Sequence, residues 1–328
     1  MKNKLYIITG QTASGKTKLA LEIAGKNNGE IINCDSRQIY KGLDIITGKD
    51  LPINSKFKKK FALNKLDIGY HQLSLSTDSN RLHPISTKIW LYDIVHPDQY
   101  FSSFDYVQCV VPVIKDILNR GKTPIIVGGT YFYIYHLLYN VPTETIKPDW
   151  KLRALLENKT VAELQIKLKS IRPELFSAMN HSDQNNPQRL IRKIEIARKA
   201  KIKINDIKTQ NESRRIILDQ KLGTDNIELV FYGYKYRDKN KLLSVIDERI
   251  EKRLQQGAIG EIKKIFSLGF ESNCPGLKTI GYIQLIQYIK GGIKLKEAVR
   301  QWKSKEAQYA KRQYTFMKKD PHIIWHEA

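Results

Sequence analysis

The chain has 328 residues, with 56 Lys+Arg against 33 Asp+Glu and a formal net charge of +23. That excess goes well beyond what a small-molecule enzyme needs for solubility and points to a polyanionic partner larger than a nucleotide. No stretch approaches the roughly 18 apolar residues of a membrane span, the N-terminus has no signal-peptide layout, and Cys34, Cys109 and Cys274 are odd in number and far apart. A soluble, cytoplasmic protein without a disulfide framework or zinc ribbon is expected.

Read in chain order, the apolar run Leu5–Thr9 predicts a first strand, and the octapeptide Gly10-Gln11-Thr12-Ala13-Ser14-Gly15-Lys16-Thr17 follows it directly. This is G-x-x-x-x-G-K-[ST] in its strand-to-helix setting, a loop whose amides and helix N-terminus cradle a polyphosphate. Lys16 supplies a mobile cation, and Thr17 is the residue expected to ligate a Mg²⁺ bridging phosphate oxygens. Further strands are predicted at Glu30–Asn33, Lys88–Ile94, Thr123–Val127 and Ile227–Tyr234, separated by helix-length segments. The expectation is an α/β fold: a P-loop NTPase-like parallel sheet core with an inserted helical subdomain.

The ligand of such a sheet lies at the carboxyl ends of its strands. There the sequence gathers the phosphate loop, Asp35-Ser36-Arg37-Gln38 after the second strand, and Gly128-Gly129-Thr130 after the fourth. Residues 51–84, with the basic cluster Lys56-Phe57-Lys58-Lys59-Lys60-Phe61, read as an irregular loop or hairpin with a solvated surface. Residues 142–215 carry no strand signal but amphipathic stretches at Trp150–Glu157, Thr160–Lys169 and Asn186–Lys201. The division expected is therefore a first core part at 1–141, a helical insertion at 142–215 and core completion with C-terminal helices at 216–328. Helices are predicted at Lys239–Gln256, Ile259–Leu268, Tyr282–Ile289 and Leu295–Lys318, the last with one apolar and one basic face, and His322–His326 reads as a terminal strand.

Six motifs fall in one order: Thr12–Thr17, Asp35-Ser36-Arg37-Gln38-Ile39-Tyr40, Gly128-Gly129-Thr130, Asn186-Pro187-Gln188-Arg189-Leu190-Ile191-Arg192, Ile280-Gly281-Tyr282 and Tyr309-Ala310-Lys311-Arg312-Gln313. Spanning almost the whole chain, the set resembles the tRNA dimethylallyltransferases, also called tRNA isopentenyltransferases. The resemblance implies transfer of a dimethylallyl group from dimethylallyl diphosphate to the exocyclic amino group of the adenosine 3′ of the anticodon, with Mg²⁺ as cofactor and the tRNA anticodon arm as partner of a monomer. It assigns Lys16 and Thr17 to the diphosphate and its metal, and Asp35 to taking the amine proton. Capping the next turn or holding Mg²⁺ through water are the other readings of Asp35. Ser36, Arg37, Gln38 and Thr130 would stand around the acceptor nucleotide, Thr130 also beside the diphosphate and catalytic with Lys16 and Asp35; a turn hydroxyl capping the helix near Tyr131 is its other reading. Arg153, Gln188, Arg189, Leu190, Ile191 and Arg192 would grip the tRNA from the insertion, and Lys278, Gly281 and Tyr282 from the core. Arg249 and Arg253, at i and i+4, either reach the diphosphate or pair with Glu248 and Glu251.

The chain departs from the family pattern at Gln11, where proline is usual, and at Tyr131-Phe132-Tyr133, where smaller residues of the Gly-Leu-Tyr type are usual. Residues 51–84 are longer than the family's segment. The rival functions are an adenylate isopentenyltransferase acting on free nucleotide, a small-molecule P-loop kinase and a non-catalytic RNA-binding NTPase. The charge and the helical insertion speak against the first, the length and charge of the chain against the second, and Asp35 in its motif with the absence of helicase-type motifs against the third.

Overall fold

The structure is a computed structural model that describes residues 3–49, 51–52, 55–75, 85–141, 143, 146–199, 216–224 and 227–328. Its elements in chain order are β1 (Asn3–Gly10), α1 (Lys16–Lys26), β2 (Gly29–Asn33), β3 (Phe57–Leu63), β4 (Leu66–Leu75), β5 (Ile85–Trp90), α2 (Ser103–Asn119), β6 (Thr123–Val127) and α3 (Tyr131–Leu138). Then come α4 (Trp150–Leu156), α5 (Val161–Ile171), α6 (Pro173–Ser177), α7 (His181–Gln184), α8 (Pro187–Lys199) and α9 (Leu218–Leu222). The chain closes with β7 (Ile227–Lys235), α10 (Lys239–Gln255), α11 (Ala258–Ser267), α12 (Tyr282–Ile289), α13 (Leu295–Met317) and β8 (Ile324–Glu327).

One eight-stranded sheet runs β3-β4-β5-β2-β6-β1-β7-β8. From β5 to β8 neighbouring strands are parallel, with Ile7 opposite Ile126 of β6 and Phe231 of β7. The central strands β1 and β6 carry near-continuous apolar runs because both their faces are covered, as parallel sheets require; β2 is as buried but holds Glu30, paired with Trp90 and Arg120. Ile8, Ile31, Ile89 and Ile125 pack with Ala20 and Ala24 of α1. The described part of 51–84 resolves the loop-or-hairpin alternative as a hairpin: β3 and β4 pair antiparallel, joined at Asn64 and Lys65, both at positive φ. Residues 53–54 and 76–84 of that segment lie outside the described residues.

The strand predicted to continue to Ile94 instead stops at Trp90. Leu91 and Asp93 have φ of 66° and 56°, and a tertiary contact explains why. The Asp93 carboxylate is drawn back to His71 Nε2 at 2.8 Å and to the ammonium of buried Lys49, which also donates to Asp44 Oδ1 and to the Tyr40 carbonyl, each at 2.6 Å. Burial works to raise the Asp93 pKa, but His71 and Lys49 prevail and hold it below the usual carboxylate range.

By contacts the chain divides into two units: Met1–Phe101, Asp105–Tyr135 and Asp219–Ala328, which hold the sheet, and Ser102–Phe104 with His136–Leu218. The second has its own core of Leu152, Leu164, Leu168, Leu190 and Ile194. Its helices start on side-chain caps, Asp149 accepting from Leu152 N and Thr160 forming a capping box with Glu163. The expected insertion ended at 215, within 200–215, and the helix expected to run to Lys201 also ends there; those positions lie outside the described residues. No helix among the described residues is long and apolar enough to cross a membrane.

Candidate active site

The phosphate loop begins where β1 meets β7. Gly10 has φ 147°, and a Cβ there would lie 2.3 Å from the carbonyl oxygen of Tyr234, so only glycine lets the two backbones touch. Gln11 N–H donates to that same carbonyl at 3.0 Å, fixing the entry to the loop. Gly15 caps α1 with φ 78° and no side-chain hydrogen bond, which leaves the first amides of the helix to an anion. The Lys16 ammonium is folded back onto the loop, donating to Gln11 O at 2.5 Å. Burial lowers the Lys16 pKa to about 7, with the Arg249 guanidinium adding to the fall and Asp35 opposing it.

Asp35 leaves the end of β2 on a turn that its own residues hold. Asn33 Oδ1 accepts Asp35 N–H, and Asp35 Oδ1 accepts Arg37 N–H, both at 2.9 Å. The capping alternative is thus realised by one carboxylate oxygen, and the residue still lines a cavity of about 260 Å³ together with Lys16, Thr17, Gly128 and Gly129. Thr130 Oγ accepts Ser36 N–H at 2.9 Å and donates to Ser36 Oγ at 3.1 Å, tying the turn after β6 to the turn after β2.

Other sequence-predicted residues meet this cavity in ways the sequence did not display. Arg37 donates to Glu306 Oε1 at 2.9 Å and lies 4.0 Å over the Tyr309 ring. Gln38 Nε2 donates to Gly48 O at 2.7 Å and Thr47 O at 3.3 Å, so presenting that amide to an adenine edge requires it to release this loop. Arg249 Nη1 donates to Thr12 Oγ at 2.6 Å, and buried Arg253 reaches Thr47 O. Glu248 and Glu251 turn elsewhere, to Ser244 and Lys303, so the arginines face the cavity instead of a surface network with them.

The helical unit sorts its predicted residues differently. Arg153 grips buried Glu195 with Nε at 2.5 Å and Nη2 at 2.7 Å, and Arg192 adds a third bond at 2.8 Å. Burial pushes the Glu195 pKa up, yet these two arginines overcome it and keep it below the usual range. Gln188 and Arg189 are exposed, Arg189 in a salt bridge to Asp183. Three tRNA assignments need correction. Leu190 and Ile191 lie in the apolar core of the helical unit and present no side chain to an RNA. Tyr282 is fully buried, its hydroxyl donating to Glu261 Oε1 at 2.5 Å. Gly281 beside it is buried while Lys278 is exposed.

Sequence reasoning missed what Glu261 does. Its carboxylate accepts the N–H groups of Asp44, Ile45 and Ile46 at 2.7, 2.6 and 3.2 Å and so holds the loop that carries Thr47 and Gly48. It also missed Glu306, and gave no role to Gln313, which closes the sixth motif. Both lie on the buried stripe of α13, Ala298-Trp302-Glu306-Ala310-Gln313-Met317. A glutamate and a glutamine intruding on an apolar helical stripe are the signal that was available, because a buried polar group needs a specific partner.

A family model described as IPP transferase matches residues 69–320 of the chain. A tRNA dimethylallyltransferase of Acetivibrio thermocellus is 34% identical over 99% of this chain and 91% of its own length. One of Bacillus pumilus is also 34% identical, over 99% of this chain and 89% of its own. The crystal structure of the full-length tRNA isopentenylpyrophosphate transferase of Bacillus halodurans superposes with a TM-score of 0.61 at 28% identity, covering 99% of this chain and 90% of that one.

Proposed function

Because this chain belongs to the IPP transferase family and transfers a dimethylallyl group to tRNA, we propose that the reaction takes place in the cavity between the phosphate loop and Asp35. The acceptor is the exocyclic amine of the adenosine 3′ of the anticodon, and the donor is dimethylallyl diphosphate. The observation that carries this reading is that Lys16, Thr17 and Asp35 line one cavity of about 260 Å³. In this reading diphosphate cradle and proton acceptor share one volume.

The amine nitrogen forms a bond to C1 of the dimethylallyl group as the bond from C1 to the diphosphate oxygen breaks. Negative charge grows on the leaving diphosphate, and the loop amides, Lys16 and Arg249 would neutralise it, Lys16 on leaving its bond to Gln11 O and Arg249 on leaving Thr12 Oγ. The adenine amine is weakly nucleophilic because its lone pair is delocalised into the ring, so Asp35 accepts its proton as the C–N bond forms. Thr130 and Asn33 keep the Asp35 turn in place. An adenosine inside a stacked anticodon loop reaches such a cavity only by leaving the stack.

Thr17, exposed at the second residue of α1, is the residue whose hydroxyl would hold a Mg²⁺ at the phosphate loop. Such an ion supplies charge neutralisation to the leaving group. Among the described residues no group of three or more His, Cys, Asp or Glu side chains could hold a metal ion. The helical unit, through exposed Gln188 and Arg189, binds the anticodon arm in this reading. In this reading the protein acts in the cytoplasm and as a monomer.

The test is mass spectrometry of nucleosides from bulk tRNA incubated with the protein, Mg²⁺ and dimethylallyl diphosphate. One adenosine should gain a single isoprene unit. Unchanged tRNA beside prenylated AMP would overturn the tRNA reading.

A further inference from the structure

The start of α3 departs from the family pattern by carrying large aromatics, and the structure places two of the chain's phenylalanines together at its surface. Phe132 is 45% exposed and Phe316 44%. Their rings lie 6.4 Å apart at 26° to one another. Tyr135 joins them, 6.3 Å from each and within 9° of parallel to Phe132. Tyr131 supports Phe316 from its edge at 4.9 Å. The result is a rigid, partly exposed aromatic surface in which each ring is oriented by another.

Its position in the fold ties it to the cavity. Phe132 follows Thr130 by two residues, and Thr130 holds the Asp35 turn. Phe316 follows Gln313 by three residues on α13, and Gln313 donates to Gly129 O at 2.9 Å. Both rings therefore lie within about one helical turn of groups that shape the candidate active site. Arg312 is exposed four residues before Phe316, and i, i+4 residues share a helix face.

Exposed aromatic rings beside a guanidinium are the elements that bind unpaired bases, the rings stacking on a base while the cation neutralises its phosphate. We propose that Phe132 and Phe316 form a stacking platform for an unpaired base of the tRNA anticodon loop, a neighbour of the adenosine that enters the cavity. A base whose neighbour leaves the stack loses one stacking partner, and the platform supplies a replacement next to the cavity. This rests on the reading of the chain as a tRNA-modifying enzyme. The +23 charge of the chain favours RNA over an apolar protein partner for the patch.

The experiment compares the wild-type protein with Phe132→Leu, Phe316→Leu and the double variant, and uses Phe132→Trp as the substitution that keeps a stacking face. Affinity is read with a tRNA carrying 2-aminopurine beside the target adenosine, whose fluorescence is quenched on stacking. Each leucine variant should weaken tRNA binding about tenfold and reduce the quenching, in line with the cost of losing one base–aromatic stack. The donor KM and the single-turnover rate at saturating tRNA should stay within twofold, and Phe132→Trp should restore quenching. The platform is overturned if tRNA affinity and quenching are unchanged in the leucine variants. It is also overturned if donor KM rises in step with tRNA Kd, which would mark a structural role. A wild-type protein that leaves tRNA unmodified in the same assay would instead bring down the functional reading and the platform with it.

Discussion

Gln313 accepts the backbone N–H of Thr12 through Oε1 at 3.0 Å. The same amide donates through Nε2 to Gly129 O at 2.9 Å. One side chain from α13 thus fixes the spacing between the phosphate loop and the turn that precedes Thr130. Gln11 repeats the theme in place of the family's usual proline, its Oε1 accepting Tyr236 N–H at 2.8 Å and its Nε2 reaching Ala310 O.

Replacing Gln313 by leucine should therefore act on geometry. It strands the buried Gly129 carbonyl, at a cost of about 1–3 kcal/mol, frees the half-buried Thr12 N–H, and loosens the loop. A drop in kcat of about 10-fold or more is expected, with tRNA affinity near normal. Gln313→Glu retains the acceptor for Thr12 and places a charge against Gly129 O, so it should rescue little. Steady-state kinetics with both substrates varied checks this, and a leucine variant with wild-type kcat would remove the positioning role.

The lowered pKa of Lys16 sets a pH dependence for donor binding. In the free site the ammonium loses its proton near pH 7, whereas a bound diphosphate favours the charged form and raises the pKa. Below pH 7 the cation is already present and affinity is at its plateau. Above pH 7 binding must take up a proton, and affinity should fall by up to about tenfold per pH unit until the bound pKa is reached. Calorimetry at pH 8 in two buffers of different ionisation enthalpy should show proton uptake, and Lys16→Arg should abolish it. Affinity that does not change between pH 6.5 and 8.5 would contradict the assignment.

Asp35→Asn keeps an oxygen to cap Arg37 N–H and removes the proton acceptor. The single-turnover rate should fall by about two to four orders of magnitude, with donor and tRNA binding within several-fold of wild type. A rate within tenfold of wild type would falsify the base role and leave Asp35 as a turn-holding residue.

In the helical unit, Glu195→Ala leaves Arg153 and Arg192 without their buried carboxylate. Removing one member of such a network costs about 3–5 kcal/mol. Hydrogen exchange should rise across α4, α5 and α8, and tRNA modification should fail. Donor binding belongs to the sheet-bearing unit and should remain within twofold. Unchanged exchange in α4 and α8 would show that the clamp contributes little.

The contiguous phosphate loop was legible in the sequence because its chemistry is local: eight residues between a strand and a helix define the backbone path. Continuous apolar runs likewise placed β1 and β6, and period-3.6 patterns α10 and α13, to within two residues, since burial of both faces of a strand or one face of a helix is written into the order of side chains. The stop of β5 at Trp90 was not legible, because Asp93 turns back to Lys49 and His71, and no feature near residue 93 announces either partner. The same holds for Glu261 under the 44–46 loop, more than 200 residues away in sequence. Leu190, Ile191 and Tyr282 stood in motifs that read as RNA contacts and are core. The motif fixed their identity, and packing alone decided which way each faces. The sequence thus determined which groups this protein brings to its chemistry. Only the tertiary structure decided which of them meet in the cavity, because a buried carboxylate or amide takes its role from partners that the fold, and not the neighbouring sequence, delivers.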